Sequence, residues 1–183
     1  DSSEPCIVVA GSPNVGKSAL IGALSSGEPQ VASYPFTTKQ LHLGHFIHRR
    51  RVYQMVDTPG LLDRPMDDRN QIEMQAIAAL EHLGDVLLFL IDRSEQSMTP
   101  LSEQENLLQE VRELLPGRLV FVAETKSDII EKSSGKEDFR ISSITGDGLE
   151  KMKESLIEII GADVVEDPLS LPENWPREDG QKT

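Results

Sequence analysis

The stretch Gly11-Ser-Pro-Asn-Val-Gly-Lys-Ser18 sets two glycines, a lysine and a hydroxyl at the spacing G-x-x-x-x-G-K-[ST], and chemistry built on that spacing is the holding of phosphate oxygens. Gly11 and Gly16 let the backbone wrap closely around a phosphate chain, because a side chain there would collide or forbid the needed dihedrals. The loop of Ser12, Pro13, Asn14 and Val15 and the turn that follows, Gly16, Lys17, Ser18 and Ala19, then present backbone amides to the anion, aided by the helix dipole. Lys17 supplies a point charge for the outer phosphates and for charge that develops on them. The Ser18 hydroxyl is a hard oxygen ligand suited to Mg²⁺.

Three further groups join it downstream. Asp57-Thr-Pro-Gly60 follows an apolar run, which places the Asp57 carboxylate where it could hold Mg²⁺ through a water and the Gly60 backbone where it could meet a γ-phosphate. Thr125-Lys-Ser-Asp128 comes directly after another apolar run. A carboxylate such as Asp128 accepts two hydrogen bonds from the N1–H and exocyclic amine of guanine, whereas adenine offers an acceptor at N1 and no such amine. Lys126 can lay its aliphatic stem along the base plane. Ser142-Ser-Ile-Thr-Gly146 can turn backbone amides, at Ser142, Ser143 and Ile144, toward the guanine O6. A phosphate-loop kinase or ATPase is the competing reading, and the pair Lys126 and Asp128 counts against it.

These groups need elements to position them. Cys6-Ile-Val-Val-Ala10 is a buried strand leading into the phosphate loop, and Ala19-Leu-Ile-Gly-Ala-Leu24 the helix leaving it. Ser25-Ser-Gly-Glu-Pro29 stops that helix, and an irregular stretch is expected up to Lys39. Leu41 to Arg49 and Arg51 to Val56 read as a hairpin. His42, His45 and His48 lie on its first strand, where period-two geometry puts His45 opposite the other two, so they read as polar residues of an edge strand rather than a metal cluster. Gln71 to Leu83 is helical, with Ile72, Ala76, Ala79, Leu80 and Leu83 as its expected core face. The continuous apolar run Asp85 to Ile91 and the run Leu119 to Ala123 are central strands separated by a helix over 100–115. Phe139 to Ser142 is a short last strand, and Gly148 to Ile160 a closing helix. The order predicts an α/β domain over residues 1–161, a mostly parallel doubly wound sheet with one antiparallel edge strand. Residues 162–183, acidic, Pro-rich and carrying the only tryptophan, Trp175, read as a tail.

Composition narrows the function classes. A formal charge of -13 and a pI near 4.7 argue against a DNA-binding or general nucleic-acid-binding domain. The one concentrated basic site is Arg49-Arg-Arg51 at the hairpin turn. A single cysteine, Cys6, inside the first strand reads as a small buried hydrophobe in a reducing compartment. No run is long enough for a membrane span and no signal peptide is evident, so a soluble, cytoplasmic protein is expected. The chain opens on Asp1 with the first strand almost immediate, which is expected of a piece of a longer chain.

The set Gly11 to Ser18, Tyr34-Pro-Phe-Thr-Thr38, Asp57 to Gly60, Thr125 to Asp128 and Ser142 to Gly146, in this order, resembles the small GTPases of the Obg-HflX group. Asp57-Thr-Pro-Gly-Leu-Leu-Asp-Arg-Pro-Met66, running on through Arg69-Asn70 and Ile72-Glu-Met-Gln-Ala-Ile77, is similar to the Nog family, the nucleolar GTP-binding proteins and their archaeal relatives. The resemblance implies a phosphate-loop GTPase fold over roughly residues 5 to 161. It also implies hydrolysis of GTP to GDP at a slow intrinsic rate, and a part in assembling the large ribosomal subunit. The subunit precursor or its rRNA would be met through flanking domains, in the cytoplasm, or in the nucleolus of a eukaryotic cell. Thr38, with Thr37 as the second choice, would be the switch threonine that ligates Mg²⁺ beside Ser18 and Asp57. Asn14 would be a candidate to hold K⁺ beside the β- and γ-phosphates, as related GTPases with Pro-Asn in this loop do. Two departures stand out. Thr125 replaces the usual Asn of the guanine motif, which should lose an amide that contacts the base and steadies the phosphate loop. Leu61 stands where Ras-like enzymes carry a water-orienting glutamine, and a nucleotide-stabilised scaffold with negligible turnover is therefore the second reading.

Overall fold

The computed structural model describes residues 4–33 and 39–166. Its elements run β1 (Cys6–Ala10), α1 (Lys17–Leu24), β2 (Gln30–Ser33), β3 (Gln40–His48), β4 (Arg51–Asp57), a single 3₁₀ turn (Met66–Asp68), α2 (Gln71–Leu83), β5 (Val86–Ile91), α3 (Leu101–Leu114), β6 (Leu119–Glu124), β7 (Phe139–Arg140) and α4 (Leu149–Glu166). They build a seven-stranded sheet in the order β2-β3-β4-β1-β5-β6-β7. From β4 through β7 the neighbours are parallel, and β2-β3-β4 are joined antiparallel.

Period-two alternation sends successive strand residues to opposite faces, and both faces of the central strands are covered. Cys6, Val8 and Ala10 of β1 and Leu87, Phe89 and Ile91 of β5 pack with Ile77 and Leu80 of α2 and Leu107 and Val111 of α3. Ile7 and Val9, with Val86, Leu88 and Leu90, pack on the other side with Leu20 and Ile21 of α1 and Met152, Leu156 and Ile160 of α4. Every residue of β1 and of β5 is buried, as their unbroken apolar runs require. Burial, helped by the nearby Asp85 carboxylate, pushes the Cys6 thiol up to about 12, so it serves as an apolar side chain.

Four local expectations change. The stretch before Lys39, read as irregular, contains β2, which pairs with β3 over Gln30↔Leu43 to Ser33↔Gln40. Mostly exposed, β2 has no apolar alternation to announce it, and its ladder comes from the partner strand. β3 is therefore an interior strand over Gln40 to Leu43, so His42 is not an edge residue and lies across from Asp57 in the β3-β4 register, while His45 and His48 lie beyond the β2 ladder. On α2 the inward face is Glu73, Ile77 and Leu80, while Ile72 is 46% exposed and Ala79 faces out. The rotation follows from Glu73, which turns inward toward Arg69 (Oε2 to Nε 3.9 Å) and Arg64 (3.7 Å). α4 spans Leu149–Glu166 and so runs past the expected helix end at Ile160, and Trp175 lies outside the described residues. No helix among the described residues is long and apolar enough to cross a membrane.

Candidate functional site

The C-terminal ends of β1, β4, β6 and β7 meet at one edge of the sheet, the edge at which open α/β sheets bind ligands. Each predicted group among the described residues lies at one of those ends or on the loop leaving it. Ser12 to Gly16 form the loop between β1 and α1, and Lys17, Ser18 and Ala19 open α1. Gly11 has φ +140°, and a Cβ there would stand 2.7 Å from the Leu90 carbonyl oxygen, so the loop leaves the sheet through a position only glycine fills. Gly16 caps α1 at φ +114°, and Asn14 adopts φ +64°. Among the described residues the amides from Asn14 to Ala19 have no protein acceptor, apart from bonds inside α1. That row of donors is what an anion-binding nest requires.

Lys17 is folded back over the loop, with its Nζ donating to the Gly11 carbonyl at 2.7 Å and the Ser12 carbonyl at 2.9 Å. Burial lowers its ammonium from the ordinary lysine range, opposed by the charges of Asp57 and Asp63. Asp57, at the end of β4 and 2% exposed, shows the mirror effect: burial raises its carboxyl, opposed by Lys17 and then by His42, whose Nδ1 is 3.7 Å from Oδ2. Its Oδ1 is buried without a hydrogen-bond partner among the described residues. A desolvated carboxylate oxygen next to the open Ser18 hydroxyl's loop is the donor chemistry that a hard divalent cation takes.

Farther along the same edge, Thr125, Lys126 and Asp128 follow β6 and Ser142, Ser143 and Ile144 follow β7. Ser142 joins the two loops. Its Oγ donates to Asp128 Oδ1 at 2.9 Å and accepts from the Thr145 amide at 3.1 Å. This fixes the carboxylate while the side of Asp128 remains exposed. The Ser142 and Gly146 amides are used within the loop, on Asp147 and on the Ser142 carbonyl. Those of Ser143 and Ile144 have no acceptor among the described residues.

Thr125 departs from expectation. Its buried Oγ1 donates to the Val15 carbonyl at 2.9 Å, with the Ile91 carbonyl at 3.3 Å. The hydroxyl thus ties β6 to the phosphate loop, so the brace thought lost with the usual Asn is kept, and only the longer amide's reach toward a base is missing. Thr125→Val removes the hydroxyl at constant shape and leaves the Val15 carbonyl short of a donor, so urea unfolding should show a loss of about 1 kcal/mol or more, while Thr125→Ser should lose less. A midpoint unchanged in the Val variant would contradict the brace.

Sequence reasoning missed several supporting residues. Asp92, 1% exposed at the end of β5, receives Lys126 Nζ at 2.5 Å, which fixes the end of the lysine side chain, and itself accepts the Ser94 amide at 2.8 Å. Gln104 of α3 holds the Asp92 backbone through both its amide ends, each at 2.8 Å. Arg69, its side chain fully buried, donates to the Leu61 carbonyl at 2.9 and 2.7 Å and so shapes the loop after Asp57. An aspartate after an apolar run is the only sequence signal any of these gives, and it belongs to Asp92. Thr38 lies outside the described residues.

A nest of loop amides, a lysine above it, a buried carboxylate beside it and a second carboxylate on the loop after β6 of the same sheet edge define a phosphate-loop domain of the GTPase type. A family model described as 50S ribosome-binding GTPase matches residues 6–126. An uncharacterised protein of Methanocaldococcus jannaschii is 46% identical over 132 residues, covering 72% of this chain and 36% of its own length. Nucleolar GTP-binding protein 1 of Caenorhabditis elegans is 41% identical over 133 residues, 73% of this chain and 20% of that protein. A crystal structure assigned to nucleolar GTP-binding protein 1 of Plasmodium falciparum is 33% identical with a TM-score of 0.78, and 92% of each chain is covered. The chain belongs to the 50S ribosome-binding GTPase family, in its nucleolar GTP-binding (Nog) branch. It spans 36% and 20% of the lengths of those two curated relatives.

Proposed function

We propose that this domain binds guanine nucleotide, hydrolyses GTP to GDP and phosphate, and reports the nucleotide state to a large-ribosomal-subunit precursor through the loops around Thr38 and Gly60. One observation carries the reading: the hydrogen bond from Thr125 to Val15 joins the base loop to the phosphate loop, so the two halves of one nucleotide site are held in register. In this reading the amides of Asn14 to Ala19 cradle the phosphates, Asp128 takes the guanine N1–H and amine, and Ser143 and Ile144 donate toward O6. Ser18, Asp57 and Thr38 would hold Mg²⁺, which neutralises phosphate charge when bound. Lys17 exchanges its loop carbonyls for the outer phosphates and opposes the charge that grows on them as water attacks in line.

The slow intrinsic rate rests on Leu61, which is 0% exposed and packed in the core, so position 61 offers no group to orient a water. Asn14 is the candidate aid. Its Nδ2 donates to Met98 Sδ at 3.4 Å, an arrangement that leaves its carbonyl oxygen for a monovalent cation such as K⁺. Leu61 also supports the second reading, a scaffold stabilised by nucleotide and nearly inert. Single-turnover hydrolysis of GTP in K⁺ and in Na⁺, with and without ribosomal particles, separates the two. Slow turnover that rises with K⁺ or with particles is expected; turnover absent under all four conditions would leave the scaffold.

A further inference from the structure

The loop after Asp57 holds itself shut with a negatively charged group. Asp63 Oδ2 accepts the Gly60 amide at 2.8 Å, and its Oδ1 is buried with no hydrogen-bond partner among the described residues. Arg69 Nη2 stands 3.8 Å from that second oxygen and, from the same fully buried guanidinium, donates to the Leu61 and Arg64 carbonyls. Leu61 and Leu62, 0% and 1% exposed, anchor the loop in the core, and the Gly11 amide bonds the Leu62 carbonyl at 3.2 Å. Asp63 is therefore fixed beside the phosphate loop, where it lines a cleft of about 280 Å³ together with Ser12 and Pro13. Lys17 feels its charge, which favours the charged form of the ammonium. Lys39 crosses the other side of Gly60, its Nζ 2.6 Å from where a Cβ would be.

We propose that Asp63 is a determinant of nucleotide specificity, an internal carboxylate that competes with the terminal phosphate of a nucleoside triphosphate for the Gly60 amide. The proposal rests on the reading of Gly60 as the γ-phosphate contact. A diphosphate has no group for that amide and leaves the Asp63 contact whole. A triphosphate must displace a charge-assisted hydrogen bond and then tolerate a carboxylate near its own charge. Asp63 thus lowers triphosphate affinity selectively and gives the loop a defined conformation to return to when phosphate leaves. Its position three residues beyond Gly60 closes a local turn, so the competitor is always at hand and needs no partner to deliver it.

Fluorescent GDP and a non-hydrolysable GTP analogue, titrated with Mg²⁺ into the 183-residue chain and its variants, test this. Asp63→Asn keeps the shape and an acceptor but removes the charge; Asp63→Ala removes both. The ratio of triphosphate to diphosphate affinity should rise on the order of ten-fold in Ala, the size of one charge-assisted hydrogen bond, and by a lesser factor in Asn. A ratio that stays level or falls in both variants, in protein whose thermal unfolding remains cooperative, overturns the inference while the GTPase reading stands. If the unaltered chain binds neither nucleotide, the GTPase reading fails and the inference falls with it.

Discussion

Asp128→Asn should lower the affinity of the domain for GDP and GTP by on the order of a hundred-fold or more, while its affinity for xanthine nucleotides rises. Guanine presents two donors, N1–H and the exocyclic amine, and a carboxylate meets both; an amide meets one and opposes its own NH₂ to the other. Sites built around such pairs discriminate strongly, because a mismatched polar group is left desolvated and unpaired. Xanthine carries a carbonyl where guanine carries the amine, so the amide of the variant pairs with it completely. Folding should be little affected, since the oxygen of Asn can still accept the Ser142 hydroxyl that the wild-type carboxylate accepts at 2.9 Å. Equilibrium titration with guanine and xanthine nucleotides checks all of this, and a variant that still prefers guanine would remove Asp128 from the base site.

Lys17→Ala should lower affinity for every nucleotide, GTP and GDP alike, by on the order of a hundred- to a thousand-fold, with the preference for guanine over adenine retained in what binding remains. Two effects add. The outer phosphates lose a desolvated cation, and charge-assisted contacts contribute about 1.5–3 kcal/mol each. The carbonyls of Gly11 and Ser12 also lose the donor that sits on them at 2.7 and 2.9 Å, so the loop is less well organised before ligand arrives. Stability should change less than binding does, because removing a buried ammonium also removes the desolvation that depresses its pKa. Calorimetric titration reads the affinity and chemical denaturation the stability. A variant that binds normally would show the lysine to be only a loop brace.

The parts of the site legible in the sequence are those carried by contiguous backbone. Gly11 to Ser18 specify their own turn and helix start, and the loop occupies the predicted place between β1 and α1. Asp57, Asp128 and Ser142 follow apolar runs or end a strand, and strand ends in a parallel sheet share an edge. What stayed hidden depends on partners distant in sequence. The hydroxyl of Thr125 reaches Val15, 110 residues away, and Lys126 is drawn by Asp92, 34 residues away. β2 has no pattern of its own because its hydrogen bonds, rather than burial, define it. On α2 the pattern holds at Leu80 and fails at Ile72, because the buried Glu73 is held inward by two arginines in a way no apolar spacing announces. Asp63 gave no signal in a loop already rich in charge, and its importance comes from the single amide it accepts.

The most direct measurement is equilibrium binding of fluorescent GDP, GTP and ATP to the 183-residue chain in Mg²⁺. Both guanine nucleotides should bind at least on the order of a hundred-fold more tightly than ATP, the discrimination that a two-hydrogen-bond contact to the base supports. Equal binding of ATP, or no binding of any of the three, would contradict a guanine site joined to the phosphate loop through Thr125.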